Sequence, residues 1–159
     1  MSLIVAATGH RPSKLHRTGY NLAPLIALAK PWLAARKPDT LLTGMALGWD
    51  TAVAMAAMDL GIVVHAYIPH VGQADKWPRH SQVAYQNLLL KCATRKVVSP
   101  GEYEPWKMQA RNEAMVDDAD LVLALWDGEE KGGTYNCVKY ALGKGVMAEN
   151  LWDVYDMEL

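Results

Sequence analysis

The chain has few of the features that stabilise small folds from outside a core. Its two cysteines, Cys92 and Cys137, stand far apart with no cluster of ligand-type residues around them, which excludes a disulfide framework and leaves both expected as reduced thiols. The five histidines show no metal spacing: His10 and His16 are six apart, His70 and His80 ten apart, so no metal and no cofactor is expected. No apolar run approaches the ~18 residues of a membrane span. The apolar start, residues 1–7, lacks a basic leader and is too short for a signal peptide, so a cytoplasmic location without a membrane partner is expected. Neither sign of charge dominates, with sixteen Lys and Arg against seventeen Asp and Glu. No basic block appears, and the electrostatic footprint of a nucleic-acid binder is missing.

What is present is an ordinary globular composition, 51% hydrophobic and 21% charged over 159 residues, enough to bury a core as one domain over residues 1–159. Short apolar runs rich in β-branched residues alternate with helix-length segments, the pattern of parallel strands buried on both faces. The runs are residues 3–7, 40–43, 62–68, 96–99 and 121–126, with a weaker sixth at 146–152. Helices are expected over residues 22–36 with Asn21 as cap, 49–60, 81–93, 105–116 and 134–142, and Pro31 should kink or split the first. Strand and helix in strict alternation give a Rossmann-like, doubly wound α/β fold, a mostly parallel sheet of five to six strands with helices on both faces.

In such sheets ligands bind beyond the carboxyl ends of the strands. After the first run come Thr8, Gly9, His10, Arg11 and Pro12, a tight turn carrying a cation and an imidazole. After the second come Gly44, Met45, Ala46, Leu47, Gly48, Trp49 and Asp50, running straight into a helix, where glycines admit a phosphate or sugar and free N–H groups favour an anion. After the fifth come Trp126, Asp127 and Gly128, then Gly132, Gly133 and Thr134 opening the last helix, with Thr134 placed to cap it or to bond a phosphate oxygen. The helix from residue 105 carries Met108 and Met115 on its buried stripe, and Arg111 and Asn112 fall on that stripe too. A buried arginine needs an anion, either a ligand or a structural partner such as Asp117, Asp120 or Asp127. Gln73, Trp77 and Tyr85 flank the exit of the third run, where the Trp77 ring either stacks on a base or simply packs.

Taken together, Thr8 to Pro12, Thr43 to Asp50, Arg111 and Asn112, Trp126 to Gly128 and Gly132 to Thr134 resemble the SLOG superfamily, in its YpsA-like branch of small bacterial and phage proteins. The likeness runs over nearly all of residues 1–150. It implies a Rossmannoid fold that binds nucleotides or nucleotide-derived signals, with relatives among the LOG phosphoribohydrolases and the DNA-processing DprA proteins. LOG enzymes carry Pro-Gly-Gly-x-Gly-Thr-x-x-Glu, whose glutamate serves cleavage of the N-glycosidic bond. Here Lys131 stands in place of the proline, the interposed residue and glycine before Thr134 are absent, and Cys137 occupies the glutamate position. A neutral thiol does not stabilise positive charge developing on a ribose.

Three readings follow. The first is a binding module for a nucleotide or nucleotide-derived small molecule, acting as sensor, carrier or sequestering protein. The second is an N-glycoside-cleaving enzyme of phosphoribohydrolase or deoxyribosyltransferase type, with Asp50 as nucleophile or stabiliser and His10 as proton donor. The third is a DprA-like protein of single-stranded DNA, against which the missing basic stripe counts. A homo-oligomer is expected, with the Ala and Met face of residues 52–58 either its contact surface or core.

Overall fold

A computed structural model of the chain describes residues 2–158. Six strands, β1 (Ile4–Gly9), β2 (Thr40–Thr43), β3 (Val63–Ile68), β4 (Thr94–Val97), β5 (Leu121–Leu125) and β6 (Met147–Asn150), form one sheet in the order β4-β3-β2-β1-β5-β6. Every neighbouring pair is parallel. Between them run α1 (Ala23–Arg36), α2 (Trp49–Asp59), α3 (Arg79–Lys91), α4 (Pro105–Asp118) and α5 (Gly133–Gly143), and α6 (Trp152–Glu158) follows β6. This is the doubly wound arrangement that strict strand–helix alternation dictates.

The pleat splits the core in two. Val5, Ala7, Leu41, Val64, Ala66, Leu123 and Leu125 point to one face, where they pack under Leu25, Ala29 and Leu33 of α1, Ala52, Val53 and Ala56 of α2, Leu88 of α3 and Tyr155 of α6. The alternate residues Ala6, Leu42, Tyr67, Val122 and Ala124 point to the other, under Met115 and Val116 of α4 and Cys137, Val138 and Ala141 of α5. Period-two side-chain alternation thus serves two helical layers. The Ala-rich face of α2 is core, with Ala52, Ala54, Ala56 and Ala57 fully buried. Those small side chains let α1 and α2 approach closely, and that face offers no surface to a second copy.

Four local expectations are corrected. Residues 96–99 are not a buried strand: β4 lies two residues earlier, at the sheet edge, with all four side chains exposed. Charges on Arg95 and Lys96 suit an edge, where they block pairing with another chain. The weak run 146–152 is a short strand that gives way to α6, because Asn150 Oδ1 accepts from the Trp152 N–H at 3.1 Å and starts a new helix. Pro31 does not split α1, which continues to Arg36 on the packing of Leu25, Ala29 and Leu33. Asn21 is one residue too early to be the cap, yet its Oδ1 accepts from the Ala23 N–H at 3.2 Å. Both cysteines are free and buried, and among the described residues no helix is long and apolar enough to cross a membrane.

Candidate functional site

The strand order reverses between β1 and β5, since α1 carries the chain away to one side of β1 while β5 lies on the other. The loops leaving those two strands diverge, and the gap they leave is where an open α/β sheet holds a ligand. A cavity of about 500 Å³ occupies this position. Its wall takes Thr8 and Gly9 from the end of β1, His10 and Arg11 from the loop after it, Ala46 from the β2 loop and Asp50 from the first turn of α2. From α4 come Arg111 and Asn112, and from the opening of α5 come Gly132, Gly133 and Thr134.

The α5 opening is built to leave amides free. Gly132 is the N-cap with φ 94°, a left-handed conformation that glycine adopts without strain, and no side chain caps the helix. Thr134 is therefore not a cap; it sits at the second helical position on the cavity wall. Unpaired N–H groups and the helix dipole make this end attractive to an anion. Lys131 and Lys14 flank it, both also on the wall.

The β2 loop behaves differently from its α5 counterpart. A Cβ on Gly44 would lie 2.2 Å from Arg111 Nη1, and one on Gly48, where φ is 89°, would lie 2.6 Å from the His10 carbonyl oxygen. These glycines admit the protein's own groups. The amides are partly consumed as well: Met45 N–H donates to Thr43 Oγ1 at 3.1 Å and Trp49 N–H to the His10 carbonyl at 3.3 Å. Gly44, Met45, Leu47 and Gly48 are absent from the cavity wall, and Met45 is a fully buried core residue despite its positive φ of 56°. The expected second anion cradle is instead a socket for Arg111.

Arg111, 5% exposed, fills that socket. Its Nη1 donates to the Gly44 carbonyl at 2.7 Å and its Nε to Asn112 Oδ1 at 2.9 Å. Asn112 in turn donates to the Gly133 carbonyl at 3.4 Å, tying α4 to the α5 opening. None of the three expected carboxylates pairs with it. Asp120 accepts from the Ile4 N–H, Asp117 from the Tyr140 hydroxyl, and Asp127 lies against His10. The carboxylate that feels Arg111 is Asp50, 4% exposed, with no direct ion pair between them among the described residues. Burial drives the Asp50 pKa up to about 6, against the pull of Arg111, the Ala46 backbone N–H and Arg11. Its Oδ1 is buried without a hydrogen-bond partner. Burial likewise lowers the pKa of Arg111, and Asp50 opposes that. Two opposite charges thus line one wall of the cavity, with no direct ion pair between them among the described residues.

His10 is turned toward the far side of its loop. Burial lowers its pKa below the ordinary histidine value, against the raising effect of Asp127, and its Nε2 lies 3.1 Å from both the Asp127 backbone nitrogen and Asp127 Oδ1. Trp152 of α6 packs on the ring at 5.6 Å. Trp126, Asp127 and Gly128 fold back over this contact rather than onto the cavity wall: Trp126 Nε1 donates to the Glu129 carbonyl, and Asp127 Oδ1 accepts from the Glu129 N–H. Trp77 packs edge-on against Tyr85 at 5.1 Å and borders a separate apolar cavity of about 70 Å³, and Gln73 bonds to the Gly44 carbonyl. Cys137, three residues after Thr134, is buried, and burial pushes its thiol up to about 11.

Several wall residues escaped sequence reasoning: Ser13, Lys14, Tyr103, Pro105, Gln109, Lys131 and Asn136. Lys14 and Lys131 adjoin motifs that were read, and Gln109 lies next to Met108 on the α4 stripe. Tyr103 belongs to the loop before α4 and carried no signal.

The fold superposes on DNA processing protein A of Helicobacter pylori with a TM-score of 0.67 at 19% identity, over 93% of this chain and 64% of that protein. The chain thus spans a little under two thirds of that relative's length. It superposes on the molybdenum cofactor binding protein of Rippkaea orientalis with a TM-score of 0.60 at 18% identity, over 98% of this chain and 81% of that one. In sequence it is 30% identical to an uncharacterized SPbeta prophage-derived protein, YoqJ, of Bacillus subtilis (strain 168), with 82% of this chain and 85% of YoqJ covered. Residues 33–150 match the model of the YspA SLOG family (YpsA), and the chain belongs to that family.

Proposed function

We propose that the cavity binds a nucleotide or nucleotide-derived small molecule, and that the protein acts as its sensor, carrier or sequestering partner. One observation carries this reading. At the switch point of the sheet, the uncapped start of α5 and the side chains of Arg11, Lys14, Arg111 and Lys131 converge with a buried carboxyl, Asp50, on one hollow of about 500 Å³. That hollow has the volume of a small-molecule site. Phosphate oxygens suit the amides of residues 132–134 and the cations around them, while Asp50 suits a hydroxyl or amine donor on the same molecule. The likeness in fold to a protein named for molybdenum cofactor binding is in keeping with a small-molecule role.

Thermal-shift screening against AMP, GMP, ADP-ribose, NAD and cyclic dinucleotides tests the proposal. A ligand at 100 times its dissociation constant adds about 2.7 kcal/mol of stability. Absence of any shift across the panel at millimolar ligand contradicts it.

A second reading, N-glycoside cleavage, draws support from Asp50 alone, a buried wall carboxyl whose pKa of about 6 is of the kind that serves acid–base chemistry near neutrality. His10 is poorly placed as its proton donor, because Nε2 is engaged by Asp127. Release of free base from nucleoside monophosphates, lost in Asp50→Asn while binding persists, is the result this reading requires.

A further inference from the structure

The cavity wall is chemically lopsided. Its cations at the rim, Arg11, Lys14 and Lys131, come from the β1 loop and the segment before α5, whereas its large apolar members, Tyr103, Pro105 and Met108, come from one stretch entering α4. A ligand matching both ends is anionic at one and flat and apolar at the other.

Tyr103 is the residue suited to the flat end. It lies on the wall yet is 59% exposed, and its contact with His70 is edge-on, with ring centroids 5.4 Å apart at 77°. Such a contact occupies at most one face of the ring, leaving π surface for another planar group. The loop that carries it is held with unusual firmness for an exposed segment. Lys107, only 3% exposed, donates from Nζ to the Pro100 carbonyl at 2.7 Å and to the Glu102 carbonyl at 2.6 Å. From the other side, the Val71 N–H donates to the Gly101 carbonyl at 3.0 Å. Burying an ammonium is costly unless its donors are satisfied, and here both bonds go to fixing the backbone on either side of Gly101, directly before Tyr103. A ring carried on a fixed backbone loses less freedom on stacking than one on a mobile loop.

We propose that Tyr103 is the stacking platform for the planar ring of the ligand, bordered by Pro105 and Met108, with the anionic end of the same molecule at the α5 opening. This assignment rests on the reading of the cavity as a nucleotide site and adds to it a requirement for a base. Trp77, the aromatic that sequence suggested for this task, lies on a different cavity.

The test compares AMP with ribose 5-phosphate by calorimetry on the full chain, in the parent protein, Tyr103→Phe and Tyr103→Ala. Stacking predicts that Tyr103→Ala weakens AMP binding about ten- to a hundredfold, leaves ribose 5-phosphate within twofold, and that Tyr103→Phe retains AMP. The base protons of bound AMP should also shift upfield in the parent and in Tyr103→Phe and not in Tyr103→Ala. If AMP binds the parent and Tyr103→Ala equally, or if Tyr103→Ala weakens both ligands alike, the platform is overturned while the nucleotide site stands. If the parent binds neither ligand, a platform for an adenine ring is overturned, whereas the site reading falls only if the whole thermal-shift panel is blank as well.

Discussion

Replacing Asp50 by asparagine is expected to stabilise the unliganded protein at neutral pH, although it removes a charged residue from the candidate site. Asp50 is buried, its Oδ1 has no partner, and its pKa rises from the ordinary 3.8 to about 6, chiefly through burial. A carboxyl whose pKa is raised on folding binds its proton more tightly in the folded state. The stability this confers is complete below pH 3.8 and is lost as pH climbs through about 6. Above that, the ionised group costs roughly 3 kcal/mol relative to its neutral form. Asparagine keeps the shape and stays neutral, so Asp50→Asn should gain up to roughly 3 kcal/mol at pH 7.5, about 6–12 °C in Tm for a chain of this size. The gain should shrink as the pH approaches 4. Urea unfolding of both proteins at pH 7.5, 6.0 and 4.5 measures it, with an unchanged m-value confirming that only stability has moved. A destabilised variant at pH 7.5, or a gain independent of pH, refutes the reasoning.

Two further outcomes follow from the same packing. Gly48→Ala should lose about 2 kcal/mol or more in chemical denaturation, because its φ of 89° is strained for any L side chain and its Cβ would press on the His10 carbonyl, whereas Gly133→Ala, with open space around it, should stay within about 0.5 kcal/mol of the parent. Lys107→Met should leave the Pro100 and Glu102 carbonyls without their charged donor, and hydrogen exchange at residues 98–104 should then quicken well beyond that of β1 and β5.

The sheet was legible because its central strands are mostly buried and rich in apolar residues: residues 3–7, 40–43 and 121–126 all fall within two residues of β1, β2 and β5. The edges were not, since β4 is Thr-Arg-Lys-Val and fully exposed, and the apolar signal lay in the loop after it. α6 begins where the weak run 146–152 ends and gave no apolar run of its own, although Trp152 and Tyr155 stand three apart, a helical spacing. At the site, the α4 stripe announced Arg111 and Asn112, and both line the cavity. The glycines of the β2 loop misled for a physical reason. A glycine that admits a phosphate and one that admits a distant arginine of the same chain look alike in sequence, and only the Arg111 guanidinium standing where a Gly44 Cβ would lie separates them. Tyr103 depends on Lys107 for its position, a loop anchorage that no spacing rule conveys.

Backbone amide shifts in a titration with ADP provide the most direct measurement of the central claim, that the uncapped start of α5 and the Arg111 wall receive one anionic ligand. The largest saturable shifts should fall on Gly132, Gly133 and Thr134, accompanied by the Arg111 Nε signal, with Gly44 and Gly48 moving less. Saturable shifts confined to another face of the molecule, or none at millimolar ADP, would contradict the account.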